Sequence, residues 1–327
     1  MRTLVLGGTV FLGRHVAAEA LARGHELTLF TRGLHGRDLF PEATHLRGDR
    51  GEDLSALEHG EWDVVVDTSC HRAAHARASA GLLADRAGHY VFVSSVNAHP
   101  DWPEQPVDES SPTWQTDDDS YGAQKAAAER AVEAAMPGRS TAVRAGMIVG
   151  PHDTTFRFPW WVQRIAAGGD VLAPGDPDRA VQLIHARDLA AWMLDVGERG
   201  VAGAFCATAP PGTTTMRQVF EAVVRATGSG ARLVWAPDEL LAASGLEEWT
   251  DIPLWTAEDQ APGTWRVGTA KAHAAGLRCR PIEDTVADVW TWVRDGGADE
   301  LSDWGAATRA RGIPAERERE LLAALAT

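Results

Sequence analysis

Only two tyrosines and two lysines occur in this chain of 327 residues. Arginine therefore carries nearly all the positive charge, and acids still exceed bases by 46 to 31, for a formal charge of −15. That balance argues against a broad nucleic-acid footprint, which needs a basic face. Three cysteines, Cys70, Cys206 and Cys279, lie far apart with no Cys-x-x-Cys pair. Neither a disulfide framework nor a zinc site follows, and reduced thiols of a cytoplasmic protein are expected. His152 and His185 form no His-x-x-x-His pattern, so no metal is expected. No apolar run reaches membrane-spanning length. The opening run to Gly7 is too short for a signal sequence.

What is present alternates between strand and helix patterns. Leu4–Leu6, Glu26–Thr31, Thr44–Asp49, Trp62–Asp67, His89–Ser95 and Ser140–Val149 read as strands, with helical periodicity at 14–23 and 73–86. Apolar strand runs with helices between them predict an α/β fold, a doubly wound parallel sheet covered on both faces. The second half is less regular. Helices are expected at 156–167, 186–197, 216–227, 281–294 and 314–326, and strands at 181–184 and 204–208. This predicts a dinucleotide-binding domain at 1–150 and 184–208, with a smaller substrate lobe at 151–183 and 209–327. Asp117–Ser120 is expected to cap the helix that follows.

Between the first strand and first helix stand Gly7, Gly8, Thr9, Val10, Phe11, Leu12 and Gly13. A glycine turn there places backbone amides and a helix N-terminus against a dinucleotide pyrophosphate. Taken alone, a tight βα connection explains it as well. The second strand ends in Thr31-Arg32 rather than a carboxylate. A guanidinium there suits a 2′-phosphate, so NADP(H) is expected over NAD(H). Asp49, ending the third strand, is placed for the adenine edge or for capping a turn.

One tyrosine and one lysine fall within Tyr121-Gly-Ala-Gln-Lys125. On a helix these two share a face. An ammonium beside a phenol favours phenolate, bringing its proton exchange toward neutral pH. That suits an enzyme moving a hydride to or from a carbon–oxygen centre.

Gly7–Gly13, Ser94-Ser95 and Tyr121–Lys125, in this order, resemble the short-chain dehydrogenase/reductase superfamily. Gly150-Pro151-His-Asp153, Arg157-Phe158, Pro174–Arg179 and Gln182–Asp188 are similar to its extended and atypical branch, the NAD-dependent epimerase/dehydratase family and its bacterial reductase-like members. The resemblance implies a Rossmann-type fold. It implies Tyr121 as acid/base, Lys125 lowering its pKa and binding the nicotinamide ribose, and Ser95 holding the substrate oxygen. Asp67, Thr68, Ser69 and Ala145 would line the cofactor. Asn97, His99, Arg157, Trp161 and Arg179 are candidates to face substrate. Trp160 and Trp161 would wall a flat pocket or pack in the core, and Asp153 would pair with Arg157.

Departures from the branch are Val10 for a glycine, Ala145 for a proline, His99 for a tyrosine, and Val181 for a diphosphate-gripping arginine. The last argues against a nucleotide sugar. Val96 and Asn97, just after the serine, argue against dehydration. The expectation is an NADP(H)-dependent oxidoreductase acting on a ketone or secondary alcohol of a small molecule. A bound-cofactor epimerase and a non-catalytic NAD(P)- or RNA-binding member are the alternatives. A homodimer is the common assembly of the superfamily.

Overall fold

The computed structural model describes residues 1–116, 118–300 and 311–326. Its eleven strands are β1 (Arg2–Leu6), β2 (Glu26–Thr31), β3 (Thr44–Arg47), β4 (Trp62–Asp67), β5 (Ala87–Ser95), β6 (Ser140–Ala145), β7 (Met147–Val149), β8 (Asp170–Pro174), β9 (Leu183–His185), β10 (Gly203–Ala207) and β11 (Arg232–Ala236). Seven form one sheet in the order β10-β6-β5-β4-β1-β2-β3, and every pairing in it is parallel. The order reverses direction between β1 and β4, where an open α/β sheet leaves a crevice beyond its carboxyl ends.

Period-two alternation divides each strand between two cores. Val5, Val64, Val66, Val91 and Val93 face one side, beneath α1 (Phe11–Ala22). Leu4, Leu6, Val65, Tyr90 and Phe92 face the other, beneath α2 (Ala73–Leu83) and α3 (Tyr121–Ala135). Both faces being covered, the strands read as continuous apolar runs. Alanines 126, 127, 128 and 131 of α3 are buried, so that helix lies close against its neighbours.

After β7 the chain enters a second lobe with its own core, built around α4 (Arg157–Ala166). It then returns through β9, which pairs with β7, to α5 (Ala186–Glu198) and β10 of the main sheet. Residues beyond Ala209 rejoin the second lobe through α6 (Met216–Thr227), whose Thr215 and Gln218 form a reciprocal capping box. The expected 209–327 segment is not continuous, however. The helix Ala270–Ala274 comes back to β10, and Ala272 and Leu277 belong to the first core. The parallel pair β8–β11 was not expected from the sequence. Ser120 caps α3 by accepting from the Ala123 amide, while Asp117 of the expected capping run lies outside the described residues. No helix among the described residues is long and apolar enough to cross a membrane.

Candidate active site

At the carboxyl end of β1 a cleft of 960 Å³ opens between the lobes. Gly7 and Gly8 have φ of +110° and +97°, a region that L side chains rarely enter. A Cβ on Gly13 would sit 2.6 Å from the Gly8 nitrogen, so only glycine lets α1 begin this close to the turn. Val10 stands at the N-cap of α1 and offers no side-chain acceptor, and the first turn carries no acid. The positive end of this helix is therefore left for an outside anion. Thr68 and Ser69 brace the turn from β4, each donating its hydroxyl to the Leu6 carbonyl at 3.2 and 3.3 Å.

The far end of the cleft is cationic. Arg32 is exposed and lines the cleft, with no hydrogen bond or ion pair among the described residues. Arg47 donates to the Thr31 hydroxyl at 2.8 Å. Asp49 lines the cleft while its Oδ1 accepts from the Gly51 amide at 2.8 Å, so it also fixes a turn.

Ser95 ends β5, and its side chain accepts from the Asn97 amide at 3.2 Å, capping a short 3₁₀ turn over Val96–Ala98. The Ser95 hydroxyl donates to Asn97 Oδ1 at 2.9 Å and lies near enough to the Tyr121 phenol to favour its ionised form. Gly122 makes this possible. A Cβ there would lie 2.1 Å from the Asn97 carbonyl oxygen, so glycine lets the start of α3 touch the turn that carries Ser95. Ser95, Asn97, Tyr121, Lys125 and Ala145 all line the cleft.

Lys125 departs from its expected role. Its side chain reaches past the phenol, and Nζ donates to the carbonyls of Cys70 (2.7 Å) and Val93 (2.8 Å). It stands 5.7 Å from the Tyr121 ring centre. Although 47% of Tyr121 is exposed, the desolvation of its phenol raises the pKa above its ordinary value, with the Ser95 hydroxyl opposing; no lowering by Lys125 enters. Burial also lowers the pKa of Lys125. An ammonium has three donors, and the third N–H remains for a ribose hydroxyl.

Four expected site residues lie away from the cleft. Asp67 is fully buried behind its wall, where Arg50 donates to both carboxylate oxygens (3.0 and 2.8 Å) and the Tyr90 hydroxyl donates at 2.8 Å. Arg50 takes the lining position instead. His99 is buried, with Nδ1 2.9 Å from the Pro112 carbonyl. That contact requires the proton on Nδ1, so Nε2 accepts from Arg144 at 3.4 Å. Arg144 in turn grips Glu129 at 2.7 Å, and Ser94 donates to the same carboxylate. Ser94 and His99 thus belong to a buried polar network beside β6. Trp161 is core, donating to the Pro253 carbonyl at 2.6 Å. Arg179 pairs with Asp238 inside the second lobe. Arg157 does line the cleft, together with Thr154 and Thr155.

Sequence reasoning missed His71, Arg72 and His75, which follow β4 and line the cleft beside Tyr121. It also missed a second cavity of 70 Å³, which shares Ser95, Asn97, Ala145, Gly146 and Met147 with the first. Trp102, Trp249 and Trp265 wall it. Tryptophans do line a pocket next to Ser95, although they are not the pair expected.

The residues present fit a nicotinamide dinucleotide: a turn whose glycines leave no room for a Cβ, an uncapped helix start, and a buried ammonium with a free donor. The profile of the NAD dependent epimerase/dehydratase family matches residues 73–205. Over those residues the chain is similar to that family. A curated relative is the chloroplast stem-loop binding protein of 41 kDa b of Arabidopsis thaliana, 26% identical over 220 residues. The match covers 60% of this chain and 54% of that protein, so the chain spans about half the relative's length. Among solved structures, the Bordetella bronchiseptica enzyme WbmH in complex with NAD+ has a TM-score of 0.67 at 18% identity, over 90% of this chain and 99% of that one. The UDP-Glc/GlcNAc 4-epimerase of Campylobacter jejuni has a TM-score of 0.68 at 15% identity, with the same coverages. Both share a Rossmann-type fold with this chain.

Proposed function

We propose that this protein is an NADP(H)-dependent oxidoreductase that interconverts a ketone and a secondary alcohol of a small molecule. The observation that carries this reading is that Ser95, Tyr121 and Lys125 line the same cleft as the glycine turn. When bound, the reduced nicotinamide supplies a hydride. Ser95 holds the substrate oxygen, and Tyr121 gives that oxygen its proton as negative charge develops there. The raised phenol pKa keeps Tyr121 protonated at neutral pH, which suits it as an acid in the direction of reduction. Lys125 braces the loop after β4 against β5 and keeps one donor toward the cofactor ribose. Arg32, unpaired at the end of β2, supports the choice of NADP(H), because a 2′-phosphate gives it a partner.

A test is Tyr121→Phe, assayed by NADPH consumption with carbonyl substrates and by NADPH titration. Loss of turnover with cofactor affinity kept is expected. Parental turnover, or no binding of either nicotinamide cofactor to the parent protein, refutes the proposal. The name of the stem-loop binding relative favours a second reading, a binding module that retains the cofactor site. The charge of −15 opposes it, and tight binding of a structured nucleic acid at physiological salt would support it.

A further inference from the structure

The second cavity is mostly apolar, yet two buried polar atoms in its lining have no partner in the protein: the Trp102 indole N–H and the Thr208 hydroxyl. Thr208 is only 1% exposed. Gly146, at the break between β6 and β7, passes so close that a Cβ there would lie 2.8 Å from the Thr208 Cβ. The hydroxyl is therefore held in place against the cavity. Buried donors without partners are costly and mark positions where a ligand completes the hydrogen bonds.

A charge stands next to this cavity. The Arg157 guanidinium, which lines the main cleft, lies 5.8 Å from the ring centre of Trp249, which lines the second cavity. Its Nε is buried and makes no hydrogen bond. Burial and the nearby Arg311 guanidinium both disfavour its charge while Asp153 favours it, two guanidinium groups with one carboxylate, so an added anion would be favoured there. Phe156, immediately before Arg157, and Trp249 have φ of +57° and +62°. Such backbone persists where surrounding packing imposes it, and it aims both side chains.

We infer that this cavity recognises the substrate, and that the substrate is a compact carbonyl compound carrying one carboxylate. Its body lies among Trp102, Trp249 and Trp265, a polar oxygen meets the Trp102 N–H and the Thr208 hydroxyl, and its carboxylate meets Arg157. At 70 Å³ the cavity has room for about five water-sized groups, far fewer than a nucleotide sugar needs. The inference rests on the proposed oxidoreductase reading for its carbonyl, held at Ser95, but its binding test does not require turnover.

The experiment is calorimetric titration of the full chain, with and without saturating NADPH, using 5-hydroxylevulinate, whose hydroxyl supplies the third oxygen group, levulinate, which lacks it, and their methyl esters. At least one acid is expected to bind about tenfold or more tighter than its ester, and Arg157→Met abolishes that preference. Thr208→Val and Trp102→Phe each weaken 5-hydroxylevulinate about three- to tenfold. Neither residue lines the cofactor cleft, so both variants keep parental NADPH affinity, which controls for folding. Acid binding without NADPH consumption upholds the pocket and removes the oxidoreductase reading. Esters binding as well as acids, a preference surviving Arg157→Met, indifference to both pocket variants, or UDP-glucose outcompeting the acids would each overturn the inference.

Discussion

Replacing Gly122 by alanine sets two effects of opposite sign against each other. In an exposed helix the change stabilises by about 1 kcal/mol through helix propensity. Here the added methyl would sit 2.1 Å from the Asn97 carbonyl oxygen, whereas ordinary contact begins at 3.4 Å. Helix and turn must separate by 1.3 Å (3.4 − 2.1) to admit it. Overpacking of this kind costs roughly 1–3 kcal/mol, so the expected net change is a loss of about 1 kcal/mol. The functional effect is larger, because Ser95 and Tyr121 stand on opposite sides of the contact being pried open. A misplacement of about 1 Å lowers a positioned reaction by roughly a hundredfold. Equilibrium urea unfolding measures the first quantity, and kcat/KM for NADPH-dependent carbonyl reduction the second. A Gly122→Ala protein that gains about 1 kcal/mol and keeps parental kcat/KM would refute the argument.

Three further outcomes follow from the geometry. Arg32→Glu should weaken NADPH by about tenfold or more and leave NADH little changed, as read by titration with both cofactors. Arg50→Met should cost about 3–5 kcal/mol in urea unfolding, because it leaves the fully buried Asp67 carboxylate without its counter-charge; Asp67→Asn on that background should recover part of the loss. Burial raises the Asp153 carboxyl from 3.8 to about 6, so the folded state binds the extra proton between those values and stability falls as pH rises through them, by up to about 3 kcal/mol. Buried His15 and His152, lowered to about 4 and 3, act in the opposite sense, costing stability as pH falls below 6.5. The quantity to measure is therefore the stability difference between Asp153→Asn and parent, which should favour the variant increasingly from about pH 4 to above 6.

The sheet was legible because its strands are buried on both faces. Val64-Val65-Val66 cannot alternate with polar residues when each side meets a helix layer. The glycine turn and the Tyr121–Lys125 pair were legible because they are local in the chain. What escaped is nonlocal. No short-range pattern tells that Arg50 will reach Asp67 across 17 positions and close it off from the cleft. Helical spacing placed Lys125 beside Tyr121 correctly, but its long side chain is drawn by two carbonyls of the neighbouring strand ends. The pocket tryptophans come from three separated segments, one of them a loop rich in proline and acids, so no periodicity could gather them.

The rarity of phenols has a practical consequence. Tyr90 is sealed between Asp67 and Ser79, which drives its ionisation far upward, while Tyr121 is 47% exposed. Protein carrying ¹³C at the tyrosine ζ carbon would give two resonances, one silent across accessible pH and one belonging to the reaction centre. Each added cofactor or substrate could then be followed at a single atom without engineering the chain.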